Sequence, residues 1–329
     1  MHAPDGFLNA GTAVVTGAIS AGAVGVSLRQ ARHQLGDRQV PLAGVTAAFI
    51  FAAQMFNFPV AAGTTGHLLG GALAAILLGP SVGAIVVTIV VVVQALAFAD
   101  GGLTALGYNI LNLAIIPAYG GYAAFVLFRR LVPATRGGVI GATGLAAWVS
   151  VVLAAMAFSI EWLFGASAPV PFDTVFASMV GIHTLIGIGE GVISGIAVGA
   201  VLLSRPDLVY GARDLDRAQL TDRTPVRARV FVIGGVLASL FLAAVVSQFA
   251  VDSPDALERV AIDTGISAGP ADHALGDSLF ADYATTGVDN RAVSVAIAGI
   301  AGTLIALAVG FGVIRAVRDR RSDHDPRAV

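Results

Sequence analysis

Read for its alternation of apolar and polar positions, the chain is a series of long apolar blocks separated by short polar ones. Blocks that approach or exceed the length needed to cross a hydrocarbon core of about 30 Å cover residues 8–28, 41–58, 67–78, 83–98, 102–128, 139–164, 172–203, 230–250 and 293–317. They predict nine helical spans and an all-α polytopic membrane protein. The third block is short, and the break Gly79-Pro80-Ser81 behind it fits either a tight turn or a re-entrant hairpin, so eight full crossings is the alternative. A charged run from Arg205 to Arg229, with Pro206 and Pro225, divides the chain into three parts. Residues 1–204 form a seven-span body, 205–229 an Arg-rich linker, and 230–329 a two-span unit with a long loop between its helices.

Charge orients this arrangement. With nine spans and the N-terminus outside, four arginine groups fall on the cytoplasmic side: Arg29, Arg32 and Arg38; Arg129, Arg130 and Arg136; the 205–229 run; and Arg315 to Arg327. That is the bias expected of cytoplasmic segments. The loop 252–290 then lies outside; it carries Asp252, Asp255, Glu258, Asp263, Asp272, Asp277, Asp282 and Asp289 against the single Arg259. The expectation is a multi-pass protein of the cell membrane with its N-terminus outside and its C-terminus in the cytoplasm. Nothing basic except His2 precedes Arg29, so an uncleaved first span that retains Met1 and exports its amine is expected rather than a signal peptide.

Composition agrees: 56% of residues are hydrophobic, only 12% are charged, and the basic residues are all Arg in clusters that make no nucleic-acid face. Gly187, Gly191, Gly195 and Gly199, and likewise Gly17, Ala21 and Gly25, put small residues on one helix face, which favours internal packing over a partner interface. No inverted repeat is visible, which disfavours a carrier built of two matching halves.

Cysteine is absent, so a transition metal here would take nitrogen or oxygen donors. Met1-His2 supplies three nitrogens on adjacent atoms: the amine, the His2 amide and the His2 imidazole. Deprotonating an amide is repaid by nickel(II) or copper(II) in a square-planar nitrogen field; cobalt comes next, and zinc with its tetrahedral habit fits poorly. His67, in Gly63-Thr64-Thr65-Gly66-His67, is the fourth donor, because the glycines let the backbone bend toward an ion. Asn57, Thr64, Thr65, His183 and Glu190 are candidates for a supporting shell or a gate. His183 and Glu190, two turns apart on one helix face, do not make an HExxH motif. There is no Lys and no GxxxxGK[ST] loop, so ATP hydrolysis would belong to another chain. Two other readings stay open on the residues alone: a membrane metalloenzyme using His67 and His183, and an ion-coupled secondary metal carrier.

The opening Met1-His2-Ala3-Pro4-Asp5-Gly6-Phe7-Leu8 resembles the MHIPDGFL start of the CbiM/NikM substrate-specific (S) components of energy-coupling factor (ECF) transporters. Gly66-His67-Leu68-Leu69-Gly70-Gly71, Leu78-Gly79-Pro80, Gln94-Ala95-Leu96, Asp100-Gly101-Gly102-Leu103, Gly107-Tyr108-Asn109, Gly120-Gly121-Tyr122 and Gly187-Ile188-Gly189-Glu190-Gly191 are similar to family blocks in the same order. Ser253-Pro254-Asp255-Ala256-Leu257-Glu258 resembles the PDGLE sequence of the CbiN/NikN-type accessory domain, with Ala256 in place of Gly. The resemblance implies Ni2+ or Co2+ as transported substrate, held by Met1, His2 and His67. It also implies partners: a transmembrane coupling (T) subunit and two cytoplasmic ATPases, with no enzymatic activity in this chain. An accessory unit of this kind is implied to serve metal loading or transport.

Overall fold

A backbone surrounded by hydrocarbon must satisfy its own hydrogen bonds, so uninterrupted apolar blocks fold as helices. The computed structural model of the chain describes residues 2–36, 39–61, 63–215, 226–251, 253–265 and 273–322. Its helices are α1 (Ala10–Gln34), α2 (Gln39–Gln54), α3 (Gly71–Leu78), α4 (Pro80–Ala97), α5 (Leu106–Arg129), α6 (Arg136–Gly165), α7 (Phe172–Ser204), α8 (Ala228–Ala244), α9 (Ala256–Thr264) and α10 (Arg291–Ser322). Among the described residues seven helices are long and apolar enough to cross a membrane: α1, α4, α5, α6, α7, α8 with its short extension to Phe249, and α10. The protein is an all-α polytopic membrane protein.

The expected second and third spans differ from the rest. With 16 residues, α2 is about 24 Å long at 1.5 Å per residue. It is apolar on every side because it is enclosed on nearly every side, its central residues from Ala47 to Ala52 other than Phe49 being almost wholly buried. The third block is no full span. Its helix α3 has eight residues, about 12 Å, and its first part is instead a hairpin and an extended stretch. Strand β1 (Phe58–Pro59) pairs antiparallel with β2 (Thr65–Gly66), and the chain runs from there through the buried Leu68 and Leu69 into α3.

That geometry leaves main-chain N–H groups to satisfy inside the protein. Glu190 on α7 does so: its carboxylate accepts from the Leu69 amide at 2.6 Å and the Gly70 amide at 2.8 Å. A carboxylate at the amino end of a helix is favoured by both the unpaired N–H groups and the helix dipole. Gly66 is needed for the same approach, since a Cβ there would come within 2.6 Å of Ile186 on α7.

The last two long helices pack on α2 and do not stand apart. Gly302 of α10 lies beneath Phe51 and Phe98, Gly44 of α2 faces Phe311, and Gly235 of α8 faces Val45. Gly187 and Gly191 of α7 pack on Trp148 and Gly144 of α6, the internal use of that small face which the spacing favours. Chain reversals gather residues 2–9, 56–61, 63–67, 98–105, 165–171, 249–251, 253–265 and 273–291 at one end of the bundle, through hydrogen bonds such as Asn9 N to Gly165 O, Gly102 N to Ala3 O and Val251 N to Asn57 O. Arg29, Arg32, Arg129, Arg136, Arg205 and Arg315 belong to helix ends that point the other way. Met1, Arg38, Asp252, Asp272 and residues 216–225 of the linker lie outside the described residues.

Candidate metal centre

The N-terminal stretch before α1 is too short to fold alone, and its position is set by what clamps it. Asn109 on α5 reads Ala3 on both sides: Ala3 N donates to Asn109 Oδ1 at 2.9 Å and Asn109 Nδ2 donates to Ala3 O at 3.0 Å. Gly102 N donates to the same carbonyl at 3.0 Å. Asp5 Oδ1 accepts from both the amide and the hydroxyl of Thr104 at 2.6 Å. Further along, Phe7 packs against Phe158 and Trp162, and its carbonyl accepts from Ser167 Oγ at 2.7 Å. Gly101, with φ +85°, lets the 98–103 turn lie against this strand, for a Cβ there would meet Asn109 Nδ2 and the His2 Cβ.

So held, His2 meets His67. Their ring centres are 5.3 Å apart and the planes are inclined by 53°. Two imidazoles bound side by side to one ion, with metal–nitrogen bonds of about 2 Å, have centres roughly 4.5 Å apart, somewhat closer than these two rings lie. His67 Nδ1 contacts the Leu68 carbonyl at 2.9 Å, which keeps the proton on Nδ1 and the lone pair on Nε2. Burial holds the His67 pKa down at about 3, with the positive character of the His2 side reinforcing it. The ring is therefore neutral and able to donate to a metal at ordinary pH.

Both histidines line an open cavity of about 1180 Å³, together with Asp100, Asp255, Glu258 and Tyr283. Among the described residues no group of three or more His, Cys, Asp or Glu side chains could hold an ion. Met1 itself lies outside the described residues.

The other candidates sort by position. Asn57 lines the same cavity, and its carbonyl accepts from Val251 N at 3.0 Å. Thr64 turns inward on its own loop, its hydroxyl donating to Ala61 O at 2.5 Å. Thr65 ties the loop to the C-terminal unit: its amide donates to Pro254 O at 3.0 Å and its hydroxyl to Ser253 O at 2.9 Å. Glu190 is occupied in capping α3. His183 is buried on α7 with Nδ1 against Met179 O at 2.7 Å. It reaches His67 only across a void of about 10 Å³, room for a single water.

Three residues at the site are not singled out by the sequence reading of its chemistry. Asn109 enters there only within the block Gly107-Tyr108-Asn109. Asp100 lies 2.6 Å from His2, Oδ1 to Nδ1. Burial would raise its pKa, but the His2 imidazole and the Tyr283 hydroxyl outweigh that and hold it at about 2. Tyr283, from the loop before α10, donates to Asp100 Oδ2 at 2.5 Å, and burial together with that carboxylate keeps its own hydroxyl protonated far above the usual range. An acidic residue followed by two glycines at the end of an apolar block is the signal that could have marked Asp100; Tyr283 carries none.

A family model described as the cobalt uptake substrate-specific transmembrane region matches residues 2–208. A second, for the PDGLE domain, matches residues 229–319. A protein of Archaeoglobus fulgidus named as a candidate fused nickel transport protein NikMN is 34% identical over 318 residues, 97% of this chain and 99% of its own. The cobalt transport protein CbiM of Geobacter sulfurreducens is 31% identical over 254 residues, 74% of this chain and 71% of its own. A crystal structure of a truncated transition metal transporter superposes with a TM-score of 0.55 at 32% identity, over 62% of this chain and 98% of that one.

Proposed function

The chain belongs to the CbiM family of substrate-specific transmembrane proteins of cobalt uptake, and we propose that it captures Ni2+ or Co2+ outside the cell for an ATP-driven ECF importer. The observation that carries this reading is the approach of the His2 and His67 rings to 5.3 Å at the end of a strand clamped by Asn109. The ligands are the Met1 amine, the His2 amide and imidazole, and His67. An amine, a deprotonated amide and two imidazoles form a nitrogen plane that suits nickel(II), with cobalt(II) next.

Orientation follows from charge. The site end of the bundle carries the acidic loop, the opposite end the arginine groups, so the site faces outside and the C-terminus the cytoplasm. Residues 1–204 form the S-component, 205–229 the cytoplasmic linker and 230–329 the accessory unit. The acidic residues of the loop around Asp255 and Asp282 raise the local cation concentration; replacing them is expected to raise the apparent KM for uptake at low salt, and unchanged uptake would remove that role. Energy comes from partners: a T subunit and two cytoplasmic ATPases.

Radioactive nickel uptake into proteoliposomes tests this reading. Uptake is expected only when the coupling subunit and ATPases are present with ATP. Uptake by this chain alone down an ion gradient would make it a secondary carrier instead.

A further inference from the structure

A chelate through the His2 amide and the imidazole of the same residue closes a six-membered ring only through Nδ1; Nε2 lies too far round the ring. In the structure, however, Nδ1 faces Asp100 Oδ1 at 2.6 Å, and Nε2 is buried with no hydrogen-bond partner among the described residues. The imidazole is therefore turned away from the orientation that capture requires. A half-turn about the Cβ–Cγ bond frees Nδ1 and places Nε2 where Cε1 was, next to the position Nδ1 has left and on the Asp100 side.

Asp100 is held to receive it. Tyr283 donates to Oδ2 at 2.5 Å, Gln94 Nε2 donates to the Tyr283 oxygen at 3.0 Å and to Gln54 Oε1 at 2.8 Å, and Gln54 Nε2 donates to Leu69 O at 2.9 Å. This hydrogen-bonded chain runs from His2 to the strand that carries His67. Tyr283 is fixed in turn by stacking on Phe98, with ring centres 5.1 Å apart, and the neighbouring Asp282 amide donates to Phe98 O at 2.9 Å.

We propose that Asp100 is a positioning residue for metal capture, accepting the imidazole N–H of His2 from Nδ1 in the empty site and from Nε2 once Nδ1 has turned to the metal, with Tyr283 of the C-terminal unit holding the carboxylate in place. The inference rests on the chelate described under the proposed function. A carboxylate behind a ligating imidazole fixes its tautomer and makes it a better donor, and removing such a partner typically costs about 10–100-fold in metal affinity. It also gives the C-terminal unit a defined contact with the metal site through one hydroxyl.

The test uses the full chain in detergent, with 15N-labelled histidine and Ni2+ alone as probe. Square-planar Ni(II) is diamagnetic, so the two ring nitrogens of His2 can be read in both states. The native protein is expected to carry the proton on Nδ1 without metal and on Nε2 with it. Asp100→Ala is expected to lose the Nδ1-protonated form and to bind Ni2+ about 10–100-fold more weakly, Asp100→Asn to recover part of that loss, and Tyr283→Phe to move both readouts in the same direction by less. Tyr283→Phe removes only a hydroxyl and stands as the test should the alanine variant not fold. Native tautomer and native affinity in Asp100→Ala, or in Tyr283→Phe if that is the variant that folds, would overturn the inference while leaving the capture reading intact. A native chain that binds no Ni2+ would instead overturn the capture reading itself.

Discussion

On the proposed reading the Asn109 clamp sets how well the N-terminal donors are placed before metal arrives, and its removal then has a calculable effect. In Asn109→Ala the Ala3 carbonyl keeps the Gly102 amide at 3.0 Å, but the Ala3 N–H loses its acceptor at 2.9 Å. Leaving a buried donor unsatisfied costs about 1–3 kcal/mol. Taking about 2 kcal/mol as the loss from the held strand, and about 1.4 kcal/mol per tenfold, Ni2+ affinity should fall roughly 30-fold. The helical bundle is untouched by this change, so helical circular dichroism and elution volume should match the native protein. Competition against a chromophoric chelator gives the affinity. Ni2+ binding within threefold of native would refute the claim that this clamp preorganises the site.

Other perturbations separate the roles assigned to the remaining residues. Glu190→Ala strips the acceptor from two buried amides before α3 and should lower the thermal unfolding midpoint markedly, with a loss of about 2–4 kcal/mol; an unchanged midpoint would remove Glu190 as the cap. His183→Ala should leave Ni2+ binding as it is, and a loss of binding would return His183 to the site. The pKa of His67, about 3, lies below the unfolded value of about 6.5, so the unfolded chain takes up a proton that the folded chain refuses. Its contribution to stability is thus fully present above about pH 6.5 and is lost progressively as pH falls toward 3. Nitrogen NMR should find His67 neutral from pH 5 to 8, and a titration midpoint near 6.5 would contradict its burial. Gly101→Ala forces a side chain into a φ of +85° beside His2 and Asn109, and should weaken Ni2+ binding without loss of helical content; native affinity would show that the turn has room to adjust.

Much of the membrane architecture can be read from apolar block length, because hydrocarbon thickness dictates it. The exception is instructive. The stretch from His67 to Leu78 is apolar enough for a helix, yet its first part is extended, because Glu190 of α7 supplies from 120 residues away the acceptor that an unwound backbone needs. No local pattern encodes that. In the same way Met1, His2 and His67 are singled out as candidates by donor type and spacing, whereas Asn109, Asp100 and Tyr283 come to the neighbourhood of His2 only through folding. Asparagine and tyrosine in apolar surroundings usually mean no more than a satisfied hydrogen bond, and the Asp100 turn points at His2 only because Asn109 brings the N-terminal strand there. The PDGLE-like turn behaves likewise. Asp255 starts α9 by accepting from the Glu258 amide at 2.8 Å, which is local and legible, while the bonds from Thr65 to Ser253 and Pro254 are not.

The central claim is that the chain holds the metal with its own terminal nitrogens together with His67. Calorimetric titration with Ni2+ and Co2+ of the native protein, beside a form whose Met1 amine is acetylated, tests it most directly. About one ion bound per native chain and none on the acetylated form is the expected result, because acetylation removes the amine lone pair from the chelate without creating a new amine–amide–imidazole set. Equal binding by both forms would contradict it and would move the search for the ligands to His67 and the carboxylates of the cavity.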